Sequence, residues 1–468
     1  MRPIRFLFLA AASLFLAGQL AAATRPRYGG TLHIETRARL ALLDPAKLPA
    51  VPGQLALANQ LLFLTGDRLV RFDSSGHLSP SLALHWRAAP GYRDWTFDLR
   101  PGVKFQDGKP MLAGDVVAAL TPLHPLWHLR AVGLQLTILL PQPEPDLLLQ
   151  LALPENSILR IGPNGLPIGT GPFRITRFTD NRITLVANNT AWQGRPFLNG
   201  VVIRMGRASR EQWIDLELGR ADLVQIPPDR VHRAHESHVR VWTSQPNQLV
   251  ALVFDRRSSA AANASVRQAL AGAVDRSALR DVLLQKQGEV ARAILPSWLT
   301  GYSFLFTPSP GPATPAVPAP AADASLPKLS LAYDASDSLL ASFAARIAVD
   351  ARAVGLRLQL QPQPPAAVVT APADVRLVRQ PIESLDPAGA LQQIVSALGL
   401  RGVVTLPASA TPDRLYAAEK ALLATHWLIP LVDLPEIYGL GSRVKDWMPS
   451  PVPLAGGWRL AQVWKEPE

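Results

Sequence analysis

Three histidines, His232, His235 and His238, recur at every third residue, a spacing to test for metal ligation. On a helix it spreads the rings over an arc of ~120°, so only neighbouring pairs could share an ion, with His232 and His235 as the candidates. A solvated surface segment after Pro227 and Pro228 accounts for them more simply, and no bound metal is expected. His235-Glu236-Ser237-His238 is one residue short of the H-E-x-x-H spacing of a metalloprotease helix. Two carboxylates, Glu383 and Asp386, stand just before Pro387. In a cleft, such acids suit acid–base work on a substrate. A buried carboxylate is also the natural partner of an ammonium, whose charge is costly to bury alone. Glu383 fits equally a solvated acid in the loop before Asp386. Trp192, Trp213, Trp242, Trp298 and Trp427 could wall a pocket, although the area an aromatic ring buries makes core packing the commoner use.

Other chemistries are absent from the sequence. There is no G-x-S-x-G elbow and no G-x-x-x-x-G-K-[ST] loop, and no cysteine to serve as nucleophile, disulfide partner, thiolate ligand or lipid anchor. Nothing argues for catalysis or a cofactor, so an enzyme is not expected.

The elements that must position these residues alternate. Gly30 to Glu35 reads as a short strand, and Leu57 to Phe72 as a helical stretch passing into a strand at Arg68–Phe72. Trp95 to Arg100 has period-two alternation, with turns at Pro101-Gly102 and Asp107-Gly108. Asp115 is expected to N-cap the following apolar helix. Residues 166 to 205 read as β structure, Glu211 to Gly219 as a helix, Leu249 to Asp255 as a strand and Ser265 to Leu284 as one helix. Ser303 to Pro327 is Pro/Ala-rich, an extended connector expected to carry no packed structure. Strand Lys328–Tyr333, helix Ser338–Val354 and strand Leu356–Leu360 then form a βαβ-like unit, with Gly355 suited to end the helix. The alternation argues for an α/β fold.

With 468 residues and 48% hydrophobic content the chain can bury a large core, in two to four domain-sized units. Arg2 and Arg5, the apolar run Phe6–Leu16 and the trio Ala21, Ala22 and Ala23 have the layout of a signal peptide. The apolar run is shorter than the ~20 residues of a membrane span, so export and cleavage after Ala23 are expected. Cleavage would remove two arginines and no acids, taking the net charge from +11 to +9. Lysines and arginines are scattered singly, which speaks against a nucleic-acid partner. Their field favours anionic ligands or a membrane surface, or simply solvates the exterior.

Ordered blocks along the chain carry a family resemblance. They begin with Tyr28-Gly29-Gly30-Thr31-Leu32 and Leu43-Asp44-Pro45. The most specific is Thr96-Phe97-Asp98-Leu99-Arg100-Pro101-Gly102-Val103-Lys104-Phe105-Gln106-Asp107-Gly108, continued by Ala113-Gly114-Asp115-Val116-Val117. Gly169-Thr170-Gly171-Pro172-Phe173, Val266-Arg267-Gln268-Ala269-Leu270, Ala273-Val274-Asp275-Arg276, Ile429-Pro430-Leu431 and Arg443-Val444-Lys445-Asp446-Trp447 follow in order. The chain thus resembles family 5 of the bacterial extracellular solute-binding proteins, the dipeptide-, oligopeptide- and nickel-binding group of ABC importers.

The resemblance implies a periplasmic-binding-protein type II-like fold: two hinged α/β lobes and a small extra domain, trimmed here between Leu120 and Gly169. Residues 24–57, 167–250 and 439–468 would form one lobe, 58–166 the extra domain, and 251–438 the other lobe, interrupted by the connector 303–327, with 1–23 as signal peptide. It also implies a periplasmic, monomeric, non-lipidated capture protein that delivers a peptide or similar solute to a membrane permease and its ATPase. In peptide-binding relatives an acid three positions before an acid-Pro pair anchors the ligand's amine. Glu383 and Asp386 occupy those places, while Gln380 replaces a nearby tryptophan. That loss, the trimmed domain and the connector leave open a ligand sensor or accessory factor, and acids in a cleft leave open a periplasmic hydrolase.

Overall fold

Strand β1 (Thr31–Glu35) alternates as expected, burying Leu32 and Ile34. The computed structural model describes residues 25–49, 51–73, 77–306, 328–382, 384–406, 411–449 and 457–467. The signal segment 1–23 and its cleavage point therefore lie outside the described residues. Helix α1 (Pro52–Thr65) starts on a proline, whose fixed φ suits a first turn, and stops at Gly66. It begins five residues earlier than its apolar spacing suggested, and the strand after it is limited to β2 (Val70–Phe72), paired with β3 (Leu78–Pro80).

A four-stranded antiparallel sheet follows: β4 (Ala83–Ala88), β5 (Asp94–Leu99), β6 (His128–Val132) and β7 (Gln135–Leu139), in the order β4-β5-β7-β6. Helix α2 (Ala113–Leu120) packs on it through Val116 and Leu120, over a core that includes Phe97, Phe105, Leu136 and Ile138. Asp115 is not the N-cap. It stands at the third helical position and reaches back to accept the Leu112 N–H at 2.8 Å, capping the helix from within its first turn.

A short hairpin, β8 (Arg160–Ile161) and β9 (Pro167–Ile168), leads into the large sheet. Its first half holds β10 (Phe173–Thr179), β11 (Arg182–Ala187), β12 (Gly200–Arg204) and, after helix α3 (Ser209–Glu217), β13 (Leu223–Gln225). The 15-residue strand β14 (Arg240–Phe254) comes next. Helix α4 (Ala264–Ala273) ends eleven residues before the expected Leu284. Val274 turns extended, and Asp275, accepting the Ala278 N–H at 2.9 Å, caps a separate helical turn. β15 (Glu289–Val290) adds to the sheet. The connector does not start at Ser303: Ser303–Leu305 is a 3-10 turn and Phe306 is buried against Tyr302 and Tyr416. Residues 307–327 lie outside the described residues.

The βαβ unit forms as read: β16 (Lys328–Asp334), α5 (Ser338–Ala353) and β17 (Arg357–Gln363), with the two strands parallel neighbours and Gly355 at φ 76° after the helix. β18 (Val375–Pro381), α6 (Pro387–Ala397), α7 (Pro412–Ala424) and β19 (Leu428–Leu440) complete the set. Strand order is β10-β11-β12-β1-β13-β19-β14-β18-β16-β17, with β15 on β19. One half packs with α1 around Leu32, Ile34, Leu61 and Val201. In the other, successive β14 residues face opposite layers. Val250 and Leu252 meet α4 and α5, while Leu249 and Ala251 meet α6 and α7. Among the described residues no helix is long and apolar enough to cross a membrane.

Candidate ligand site

β14 and β19 are long enough to run through both halves of the sheet, and β19 pairs with β13 at one end and with β14 along its length. Midway, the β14–β19 register slips twice, around Pro246, which sits opposite Pro435. Neither proline has an N–H to give to the ladder, so pairing is weakest where the halves join. Side chains fill the gap. The Ser244 hydroxyl accepts the Glu436 N–H at 2.8 Å, and Trp298 Nε1 donates to the Pro246 carbonyl at 2.6 Å.

Glu436 is the one β19 residue that reaches solvent. The Tyr438 hydroxyl donates to its Oε2 at 3.0 Å, and the Asn247 carboxamide lies against it. Burial pushes the Glu436 carboxyl up, opposed by these two groups and by the through-space charge of Arg379. Arg379 is itself bound to Asp337, at 3.2 Å, and to Gln248. The Tyr438 ring meets Trp242 at 6.0 Å between centroids and Trp447 and Trp458 edge-on at 6.1 and 6.5 Å. Asn247 is 6% exposed, and its Oδ1 has no hydrogen-bond partner.

The residues singled out from sequence divide. Gln380 lies on β18 opposite Leu249, its side-chain amide donating to the Pro381 carbonyl at 3.3 Å. Asp386 N-caps α6, its carboxylate accepting the N–H groups of Ala388 and Gly389 at 3.4 and 2.6 Å. The Asp386 charge also reaches Glu144 and Asp146, whose carboxyls are raised first by burial and then by acidic neighbours that include Asp386. Leu385 packs against the core around Phe97, so this loop bridges to the four-stranded sheet. Glu383 lies outside the described residues. His232 faces Glu236 at 3.2 Å on an exposed turn of helix, and His238 has left that helix with φ 56°. Among the described residues no three acids or histidines are placed to hold a metal. Trp242 and Trp298 sit at the strand crossing. Trp192 donates to Asp67 and Trp213 to Glu217, and Trp427 stacks with Arg267.

The sequence reading passed over Glu436, Tyr438 and Asn247. One signal was present: an acid directly after a proline inside the otherwise apolar run Leu428–Leu440. A separate cavity of about 370 Å³ is lined by Tyr28, His33, Arg443, Lys465 and Glu466. Several of its charges are already engaged, Lys465 and His33 with Asp222 and Glu466 with Lys445.

A family model, bacterial extracellular solute-binding proteins, family 5 middle region, matches residues 77–124 and 131–397. The chain belongs to this family. Among curated relatives, heme-binding protein A of Haemophilus influenzae is 27% identical over 286 residues, 51% of this chain and 52% of that protein. The dipeptide-binding protein of Escherichia coli is 26% identical over 285 residues, 51% of this chain and 53% of its own. The match thus spans about half the length of these curated relatives. Of solved structures, NikA from Brucella suis in complex with Fe(III)-EDTA superposes with a TM-score of 0.77 at 19% identity, covering 93% of this chain and 100% of that one. DppA from Helicobacter pylori in complex with the peptide STSA gives 0.77 at 18%, covering 94% and 99%. At those identities the likeness is one of fold, the type II periplasmic-binding-protein fold. The relatives are named as binding proteins, not enzymes.

Proposed function

We propose that this family member is the capture component of an ABC importer. It is exported to the periplasm, closes two lobes over a small solute, and hands that solute to a membrane permease. The observation that carries this reading is the crossing itself. β14 and β19 are shared by both halves of the sheet, and their ladder is interrupted at Pro246 and Pro435, which makes a hinge with polar side chains at its pivot. The four-stranded unit within 58–166 forms the third wall, and the loop before α6 reaches it through Leu385. In this reading Glu383 and Gln380 face the captured solute. Asp386 holds the N-terminus of α6.

Named ligands of relatives span heme, nickel and dipeptides, so the first experiment ranges across classes. Thermal shift of residues 24–468 against di- and oligopeptides, sugars, heme and nickel should yield at least one class that raises the melting temperature, because a ligand bound only by the folded state stabilises it. Silence across all classes would refute capture and favour an accessory role.

A further inference from the structure

At the strand crossing a buried acceptor without a partner stands beside a carboxylate. Of the Glu436 carboxylate, Oε2 takes the Tyr438 hydroxyl, and Asn247 Oδ1 is buried with nothing to accept from. The cation whose charge reaches it, Arg379, is bound to Asp337 and Gln248, and among the described residues Glu436 has no ion-pair partner. A partly buried carboxylate whose neighbours donate to it only as neutral groups is compensated best by a positive charge carrying several N–H donors. We propose that Glu436 and Asn247 form a subsite that takes a cationic group of the captured solute, an ammonium or a guanidinium. The inference rests on the capture reading above and adds to it the charge of the ligand. It runs against the net charge of +9 expected for the exported chain, whose long-range field favours anions. Selection of a cation would therefore be local, made by one acid at the pivot.

The position of the acid ties recognition to closure. Glu436 follows Pro435 at the slip in the ladder, and its own N–H is held by Ser244 rather than by a β14 carbonyl. A donor seated between Glu436 and Asn247 bridges β19 and β14 at that slip, so occupancy fixes the angle between the halves.

The test is isothermal titration of residues 24–468 with the dipeptide Ala-Arg, with Ala-citrulline, whose side chain replaces the guanidinium by a neutral urea, and with the N-acetylated form of each. The expected result is binding of a cationic member of the set, weakened at least about 10-fold when its charge is removed and on the order of 30-fold by Glu436→Gln. Glu436→Asp should recover most of the loss. The ligand-side comparison needs no variant to fold, and an unlowered melting temperature of unliganded Glu436→Gln shows that this variant does. A ligand of any class that binds wild type and Glu436→Gln equally overturns the inference while leaving capture standing. Neutral ligands binding where all the cationic ones fail does the same. No binding by any class sinks capture, and the inference with it.

Discussion

Glu419 offers a quantitative check on the interior of the second half of the sheet. It stands on α7 with no exposed surface. Its Oε1 accepts the N–H groups of Ile294 and Leu295 at 2.5 and 2.9 Å, and its Oε2 accepts the Tyr302 hydroxyl at 2.9 Å. Burial raises the Glu419 carboxyl from 4.5 to about 7 despite these three donors. A group whose folded value lies above its unfolded one stabilises the fold most where it is protonated in both states. The Glu419 contribution should therefore be complete at and below about pH 4.5, be lost as pH rises, and level off above about 7. The gap from 4.5 to about 7 is worth about 3 kcal/mol. Glu419→Gln keeps a carbonyl oxygen for Ile294 and Leu295 and turns an amide N–H toward the Tyr302 oxygen, which rotates to accept it. The variant should exceed wild type by no more than about 1 kcal/mol at pH 5 and by up to about 3 kcal/mol at pH 8. Urea unfolding of both proteins at pH 5, 6, 7 and 8 measures the difference. Asp433 is also buried, and its carboxyl is raised first by burial and then by the charges of Glu289 and Glu419, so removing the Glu419 charge also relieves Asp433 and adds to the difference in the same direction at high pH. A difference that does not change with pH would refute the reasoning, because the carboxylate would then be ionised in the fold at no cost.

Three further substitutions test the scaffold. A Cβ on Gly169 would fall 2.1 Å from the Thr65 carbonyl oxygen, so Gly169→Ala should cost about 2 kcal/mol or more in urea. Gly114, near the start of α2 with open space around it, should tolerate alanine with a change within about 1 kcal/mol. Asp222 binds Lys465 at 2.8 Å and the His33 N–H at 2.8 Å, and although burial pushes its carboxyl up, these partners hold it below the usual range. Its contribution should be complete above the unfolded aspartate value, about 3.9, and be lost as pH falls through the folded one. Asp222→Asn should lower the melting temperature at pH 7 and narrow its gap to wild type as the pH approaches 3.

The parts of the fold legible in sequence are those set by neighbours along the chain. The block after β5 and the block Gly169-Thr170-Gly171 carry the family resemblance, and their contacts give a physical reason. The Gln106 side-chain amide donates to the carbonyls of Thr65, Gly171 and Phe173 at 2.9, 3.1 and 2.7 Å and accepts the Gly169 N–H at 3.1 Å. Two blocks sixty residues apart are conjoined there at the end of α1, and only glycine leaves room for the approach. The break in α4 was hidden because Val274 is apolar and continues the helical spacing, while the Asp275 cap that interrupts it reads like any other polar residue. Asp386 could be read two ways. Asp before Pro suits a helix start, and that is the role its contacts show.

The binding seam was hidden for a different reason. Glu436 acquires meaning only once β19 lies beside β14, and the pairing joins residues about 190 positions apart along the chain. No local pattern announces such a partner. Yet the same pairing explains why the seam can move. On one side Leu249–Val253 is laddered to Leu428–Asp433, and on the other Arg240–Thr243 is laddered to Ile437–Leu440. Each end is thus paired within its own half, and the stretch around Pro246 and Pro435, where two of the three register shifts fall, is the place best able to absorb a rotation. A closing motion there breaks few backbone hydrogen bonds, because the prolines had none to give and the Glu436 N–H is already held by the Ser244 side chain. The energy available to select the closed form then comes chiefly from what enters the seam. The acid at the pivot thereby becomes the residue where ligand chemistry and lobe angle meet.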